Sequence, residues 1–189
     1  MRNRKWAICI FLVAFFLFFG NRLHAQVHLA ESLDYEKIFA ENLSREGKVL
    51  NLSGKKIGDH GLELLLKQDF VKKLRKLDLR YNDISPKGAK SLAHSKQFLK
   101  LKTLILKHNY FSDEGTVAFA HSPNFPSLEV LQLGWNEVRD AGALALADTK
   151  MFPKLKKLDL RGNYLAGKTK KTLRSALVHL KSLRIFQSE

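Results

Sequence analysis

Leucines alternate with polar residues in short bursts along this chain, and the bursts return at a fixed interval. The stretch from Leu74 to Ile84 reads LRKLDLRYNDI, with Leu at its first, fourth and sixth positions, Asn at the ninth and an aliphatic residue at the eleventh. Stepping forward by 27 from Leu77 lands on Leu104, Leu131 and Leu158, and stepping back lands on Leu50. The related strings are LKTLILKHNYF from Leu101, LEVLQLGWNEV from Leu128, LKKLDLRGNYL from Leu155 and a degenerate GKVLNLSGKKI from Gly47. Alternation predicts a short strand in each unit, with its leucines on the inward face. One unit cannot bury those leucines alone, so neighbours must stack into a continuous core. Asn82, Asn109, Asn136 and Asn163 recur in register. Their amides are expected to turn inward and satisfy backbone groups leaving the strands, a structural role and not a site.

Between strands the pattern turns helical. After SPKG at 85–88 come Ala89, Leu92 and Ala93, and LALA at 144–147 is equally rich in helix formers. Ser85 before Pro86 reads as an N-cap followed by proline at the first helical position. Ser112 before Asp113 and Glu114 reads as an N-cap with acids at the positive helix end.

The leucine signature with its four in-register asparagines resembles the leucine-rich repeat. The unit length of 27, with Gly61, Gly88, Gly115 and Gly142 each four residues past the aliphatic position, resembles the ribonuclease-inhibitor-like class of these repeats. That resemblance implies an α/β solenoid: a short right-handed horseshoe arc with a concave parallel sheet of about six short strands and helices on the convex side. It also implies a scaffold for protein interaction.

Met1 to Ala25 stands apart in composition. Arg2, Arg4 and Lys5 precede an uncharged apolar run from Trp6 to Phe19, and a short polar piece ends in LHA. This reads as a secretory signal peptide, since a membrane span needs about 20 apolar residues. Leu23, three residues before the end, is not the usual small residue, so an uncleaved N-terminal anchor is the alternative. Either way the repeats cross a membrane, and localisation is expected to be secreted, periplasmic or cell-surface. After cleavage no transmembrane span is expected. Cys9 is the chain's single cysteine and lies inside the apolar run, so the mature part has neither disulfides nor thiol ligands. An exported repeat domain without disulfide caps resembles bacterial examples.

The expected organisation is therefore a signal peptide at 1–25, an N-terminal capping helix within 26–46, and a repeat domain at 47–189 of five 27-residue units plus a terminal strand. Tyr35, Ile38, Phe39 and Leu43 share one helical face in the capping stretch. At the far end the period breaks, because Leu183 follows Leu158 by 25 and Thr169 takes the glycine position. A helix at 169–180 with Leu173, Leu177 and Leu180 inward, then a strand from Ser182 to Phe186, are expected to close the series.

Charge adds a second theme. Across 189 residues 33 Lys and Arg face 18 Asp and Glu, a formal charge of +15, and removal of Arg2, Arg4, Lys5 and Arg22 leaves +11. Basic residues gather where the chain enters its strands: Lys72, Lys73, Arg75 and Lys76, then Lys100 and Lys102, then Lys154, Lys156 and Lys157. Stacked at one period, Lys72, Lys73, Arg75, Lys100, Lys102, Lys154 and Lys156 form a rim that FPSLEV interrupts in the fourth unit. Such a rim offers an alternative role on an anionic surface, polysaccharide or lipid headgroup. Export argues against nucleic acid as the partner.

Strand alternation also sorts the outward side chains. The columns run Val49, Lys76, Thr103, Val130, Lys157; then Asn51, Asp78, Ile105, Gln132, Asp159; then Ser53, Arg80, Lys107, Gly134, Arg161. Just beyond run Gly54, Tyr81, His108, Trp135 and Gly162, so three aromatic rings are expected in a row about 10 Å long, at a strand spacing of about 4.8 Å. The core does not require rings there, and Tyr and Trp beside Arg are residue types that anchor protein interfaces. Tyr81, Ile105, His108, Val130 and Trp135, with Arg80 and Lys107, are the candidate partner-binding residues. Coverage of the asparagine ladder is the competing structural role for the rings.

Catalysis has no footing in the sequence. There is no HExxH, GxSxG or phosphate-binding glycine loop, and the strands end in repeated Asn rather than a unique acid or nucleophile. His94 and His121 share a helix-end position but lack a third ligand, so no metal or other cofactor is expected. The sequence reads as a non-enzymatic, monomeric binding module.

Overall fold

The computed structural model describes residues 34–186. The expected signal segment, and residues 26–33 of the expected cap, lie outside the described residues. Six three-residue strands form one parallel sheet in sequence order: β1 (Val49–Asn51), β2 (Lys76–Asp78), β3 (Thr103–Ile105), β4 (Val130–Gln132), β5 (Lys157–Asp159) and β6 (Ser182–Arg184). The register follows the leucine period, pairing Leu50, Leu77, Leu104, Leu131, Leu158 and Leu183 in one row. The 25-residue last step does not slip the sheet, because β6 still sets Leu183 opposite Leu158.

A helix precedes the sheet and one follows each of the first five strands: α1 (Tyr35–Asn42), α2 (Gly58–Leu65), α3 (Pro86–His94), α4 (Ser112–Ala120), α5 (Asp140–Asp148) and α6 (Gly167–Ala176). Between the layers the leucines of the first five strands are buried, along with Leu92, Phe119, Leu146 and Leu173 from the helices, and Leu183 of β6 packs partly buried against them. Where each helix returns to the next strand, a second column at the same period, Val71, Phe98, Phe125 and Phe152, fills the bend. Phe98 stacks on Phe125 at 5.4 Å between ring centroids, and Phe119 bridges Phe125 and Phe152 at 4.7 and 5.3 Å.

The units also interlock through polar groups. Ser85 caps α3 as its sequence suggests, accepting from the Lys87 N–H. Ser112 is not the expected N-cap: it is the first residue of α4, has φ +50, and the helix has no side-chain cap of its own. The capping acid is instead Asp113, whose Oδ1 accepts from the Arg139 and Gly142 N–H groups at the start of the following unit's helix, 2.8 Å each. Asp59 does the same for Ser85, and Asp140 for Ala166. At the opposite helix ends, Ser122 and Thr149 donate back to the Ala93 and Ala120 carbonyls of the preceding unit. Orphan groups at helix termini are thus satisfied by the neighbouring unit, which fixes the stacking order as well as the helices.

The first unit is closed by α1. Phe39 is buried, and Tyr35, Ile38 and Leu43 pack partly buried on the core. Tyr35 sits against Gly61, where an added Cβ would lie 2.4 Å from its ring. Leu43 makes an antiparallel bridge to Leu50 and the Ser44 N–H donates to the Val49 carbonyl, so the outer edge of β1 is covered. At the other end the expected bounds shift. The last helix starts at Gly167 and ends at Ala176, and the strand stops at Arg184, because β5 offers only three residues to pair with. No helix among the described residues is long and apolar enough to cross a membrane.

Candidate functional site

Beyond each of the first five strands the backbone turns sharply, and the turn begins with a residue in the left-handed region. At Gly54 and Gly162 φ is +70 and +72; at Tyr81, His108 and Trp135 it is +57, +54 and +55. Glycine takes this conformation freely, whereas a residue with a Cβ gives up about 1 kcal/mol or more. Three successive bulky residues therefore hold a conformation that the repeat's own glycines supply without strain. The asparagine that follows each of them anchors the turn. Asn109 is typical: its Oδ1 accepts from the Asn82 and Ile84 N–H groups, while its Nδ2 donates to the Leu79 and Leu106 carbonyls.

The three rings stack face to face. Tyr81 and His108 lie 4.2 Å apart at 10°, and His108 and Trp135 lie 4.7 Å apart at 10°. Trp135 ends the series lying on Gly162, and Phe186 meets it edge-on at 6.2 Å. Lys107 and Arg161 flank the indole at 5.7 and 5.8 Å from its centroid. Burial in the stack, and then the neighbouring Lys107 charge, push the His108 imidazole below the usual histidine range. A groove of about 280 Å³ runs along the stack, walled on its other side by Lys56, Asp83, Tyr110, Glu137 and Tyr164. Tyr110 and Tyr164 are exposed, and Arg139 lies over the Tyr164 ring at 5.4 Å.

The structure thus brings together Tyr81, His108 and Trp135, and adds Tyr110 and Tyr164, which the sequence reading passed over. The signal was available, since both tyrosines follow the ladder asparagine directly, at Asn109-Tyr110 and Asn163-Tyr164. Ile105 is a correction. It lies on the outward side of β3 between Asp78 and Gln132, yet is only 6% exposed, because closely paired strands leave the middle column little open area. Asp78 and Asp159 in the same column are buried as well. Val130 is half-buried and lines a separate pocket of about 440 Å³ with Lys157, Asp159, Ser182 and Arg184.

Arg80 and Lys107 sit beside the rings but are committed inside the chain. Arg80 grips Asp78 with Nε at 3.0 Å from both carboxylate oxygens. Lys107, 16% exposed, reaches Asp159 at 2.9 Å, and Arg161 binds the same carboxylate at 2.8 Å. Burial alone would raise the Asp159 carboxyl, but Arg161 and Lys107 outweigh it and hold it down to about 2.

The lysine rim is partly neutralised. Lys72 pairs with Asp69 at 2.8 Å, while Lys156 and Lys102 straddle Glu129 at 2.6 and 3.0 Å. Hydrogen bonds from Lys156 and then Lys102 bring the Glu129 carboxyl down to about 2. The FPSLEV interruption is therefore where an acid ties two units of the rim together. Lys73, Arg75, Lys100 and Lys154 make no ion pair among the described residues. His94 and His121 each bond the carbonyl four residues back in their own helix, Lys90 and Val117. Among the described residues no three His, Cys, Asp or Glu side chains gather as metal ligands.

Comparison with known proteins bears on the fold. Residues 72–93, 99–120 and 126–147 match the Leucine Rich repeat family, and Tyr81, His108 and Trp135 fall one in each. Comparison with curated proteins gives no match. Among solved structures the chain is similar to Leiomodin-1 Actin-Binding Site 2 (ABS2), at 14% identity over 82% of this chain and 78% of that one, with a TM-score of 0.48. Similarity at that level says nothing about what this chain binds. The three matched repeats, continued by the same register into a six-stranded parallel sheet backed by helices, make the fold an α/β leucine-rich-repeat solenoid.

Proposed function

We propose that this chain is an exported protein-binding module that holds its partner in the aromatic groove along the turns after its strands. The observation that carries the reading is the backbone of Tyr81, His108 and Trp135. All three are left-handed at a position where Gly54 and Gly162 serve the scaffold equally well. Strain retained outside the needs of the core points to a use for the side chains. Stacked rings on a hydrogen-bonded turn lose little freedom when a partner binds, and Tyr and Trp are the residue types that dominate interface energies. The Leucine Rich repeat match supports an interaction module in general. Export rests on the sequence of residues 1–25 alone.

The test is capture of extracellular and surface proteins by the purified chain in low and high salt, beside a Tyr81→Ala/Trp135→Ala variant of unchanged melting temperature. A partner kept in high salt and lost with the double variant supports the groove. Capture that vanishes in high salt and survives the variant transfers the function to Lys73, Arg75, Lys100 and Lys154, since contacts between exposed charges are screened by salt. N-terminal sequencing of the exported protein, with a new terminus at Gln26, checks the signal peptide.

A further inference from the structure

The ring stack has one closed end and one open end. At the closed end Trp135 rests on Gly162, so tightly that a Cβ there would come within 2.3 Å of the indole nitrogen. At the open end the in-register neighbour of Tyr81 is Gly54, which shares the left-handed backbone but carries no ring, and a Cβ built on it would meet nothing within 4 Å among the described residues. Tyr81 is accordingly 45% exposed. The rings succeed one another at 4.2 and 4.7 Å, close to the strand spacing of about 4.8 Å. The same repeat sets a vacant ring position above Gly54, against the free face of Tyr81.

We propose that this position receives an aromatic side chain of the bound protein, presented from an acidic stretch. The inference rests on the groove reading above and specifies the chemistry of its partner. A flat, uncharged ring continues the existing stack at its own spacing. The acidic setting follows from charge. Lys55, next to Gly54, has no ion-pair partner among the described residues, while Lys56 pairs with Asp83 at 2.9 Å and Arg80 with Asp78. The residues around the vacancy keep a net positive charge, which repels a guanidinium or ammonium group and attracts carboxylates flanking a ring.

The experiment follows the Gly54 amide of the isotope-labelled protein by NMR while three small probes are titrated separately. N-acetyltryptophan carries ring and carboxylate, N-acetylleucine the carboxylate alone, and tryptamine the ring with a cation. N-acetyltryptophan is expected to shift the Gly54 and Tyr81 resonances by ring current, and the other two to bind at least tenfold more weakly. Gly54→Tyr, which fills the position from within at a backbone that Tyr81 already adopts, is expected to abolish the response. Gly54→Ala keeps the position open and is expected to preserve it, separating blockage from backbone strain. An unmoved Gly54 amide, equal binding of tryptamine, or undiminished binding by Gly54→Tyr overturns the proposal. Protein capture lost in Tyr81→Ala/Trp135→Ala but untouched by Gly54→Tyr leaves the groove standing and removes only the ring position. Capture indifferent to both variants removes both.

Discussion

Lys107 reaches from the end of β3 across the row of Gly134 to set its Nζ 2.9 Å from Asp159 at the end of β5. The crossing joins units two strands apart, beside the Glu129 bridge that links Lys102 and Lys156 across the same span.

Removing the acid tests this clamp. Asp159→Asn leaves a largely buried Lys107 without its counter-charge and is expected to cost about 2 to 3 kcal/mol, the low end for a broken buried pair because both cations keep some water. The acid limb should change as well. A carboxyl depressed to about 2 contributes stability that is complete above its unfolded value near 3.9 and is lost as pH falls through 2. Denaturant melts between pH 4 and 2 should lose less stability in Asp159→Asn than in the parent. An identical acid limb in both would remove the clamp from the stability account.

Gly162 and Gly54 share a backbone conformation but not surroundings, so alanine at each separates strain from contact. Gly54→Ala meets open space and is expected to cost about 1 kcal/mol for its left-handed φ alone. Gly162→Ala adds a collision with Trp135 and should both cost more and swing the indole off His108. The indole N–H resonance of Trp135 and the ring-current shifts on His108 report that movement directly. Equal effects of the two variants would mean the indole is not seated on Gly162.

His108 gives the stack a pH dependence. Its folded pKa is lowered, so the unfolded chain takes up the proton first as pH falls from the usual value of about 6.5. The neutral imidazole's contribution is full above that value and disappears as pH drops through the folded pKa. An NMR titration of the ring carbons is expected to place the midpoint below the usual range. A midpoint at or above it would show that attraction of an imidazolium to the Tyr81 and Trp135 faces outweighs burial and Lys107.

The asparagine ladder is not uniform. Asn109→Ala strips an acceptor from two backbone N–H groups and a donor from two carbonyls, an expected loss of about 3 kcal/mol. Asn136 donates to the Leu106 and Gly134 carbonyls, but its Oδ1 is buried with no hydrogen-bond partner among the described residues. Asn136→Ala should therefore cost less, by about 1 kcal/mol, in paired denaturation curves. The reverse order would place a bond at Oδ1.

By itself the sequence determined the stacking of this protein. Leucines and asparagines 27 residues apart fall opposite one another in a parallel sheet, so a one-dimensional period fixes register, core and ladder together. It also located the aromatic row, because Tyr81, His108 and Trp135 occupy one column of that period. Tertiary structure alone decided what the outward columns expose. Ile105 and Val130 have the same outward parity, yet one is buried and the other half-open, and Tyr110 and Tyr164 joined the groove from a position that alternation does not rank. Asp113 serves a helix 26 residues away rather than its own. Periodicity states which residues are neighbours, but exposure and pairing depend on how far side chains such as Lys107 cross between units.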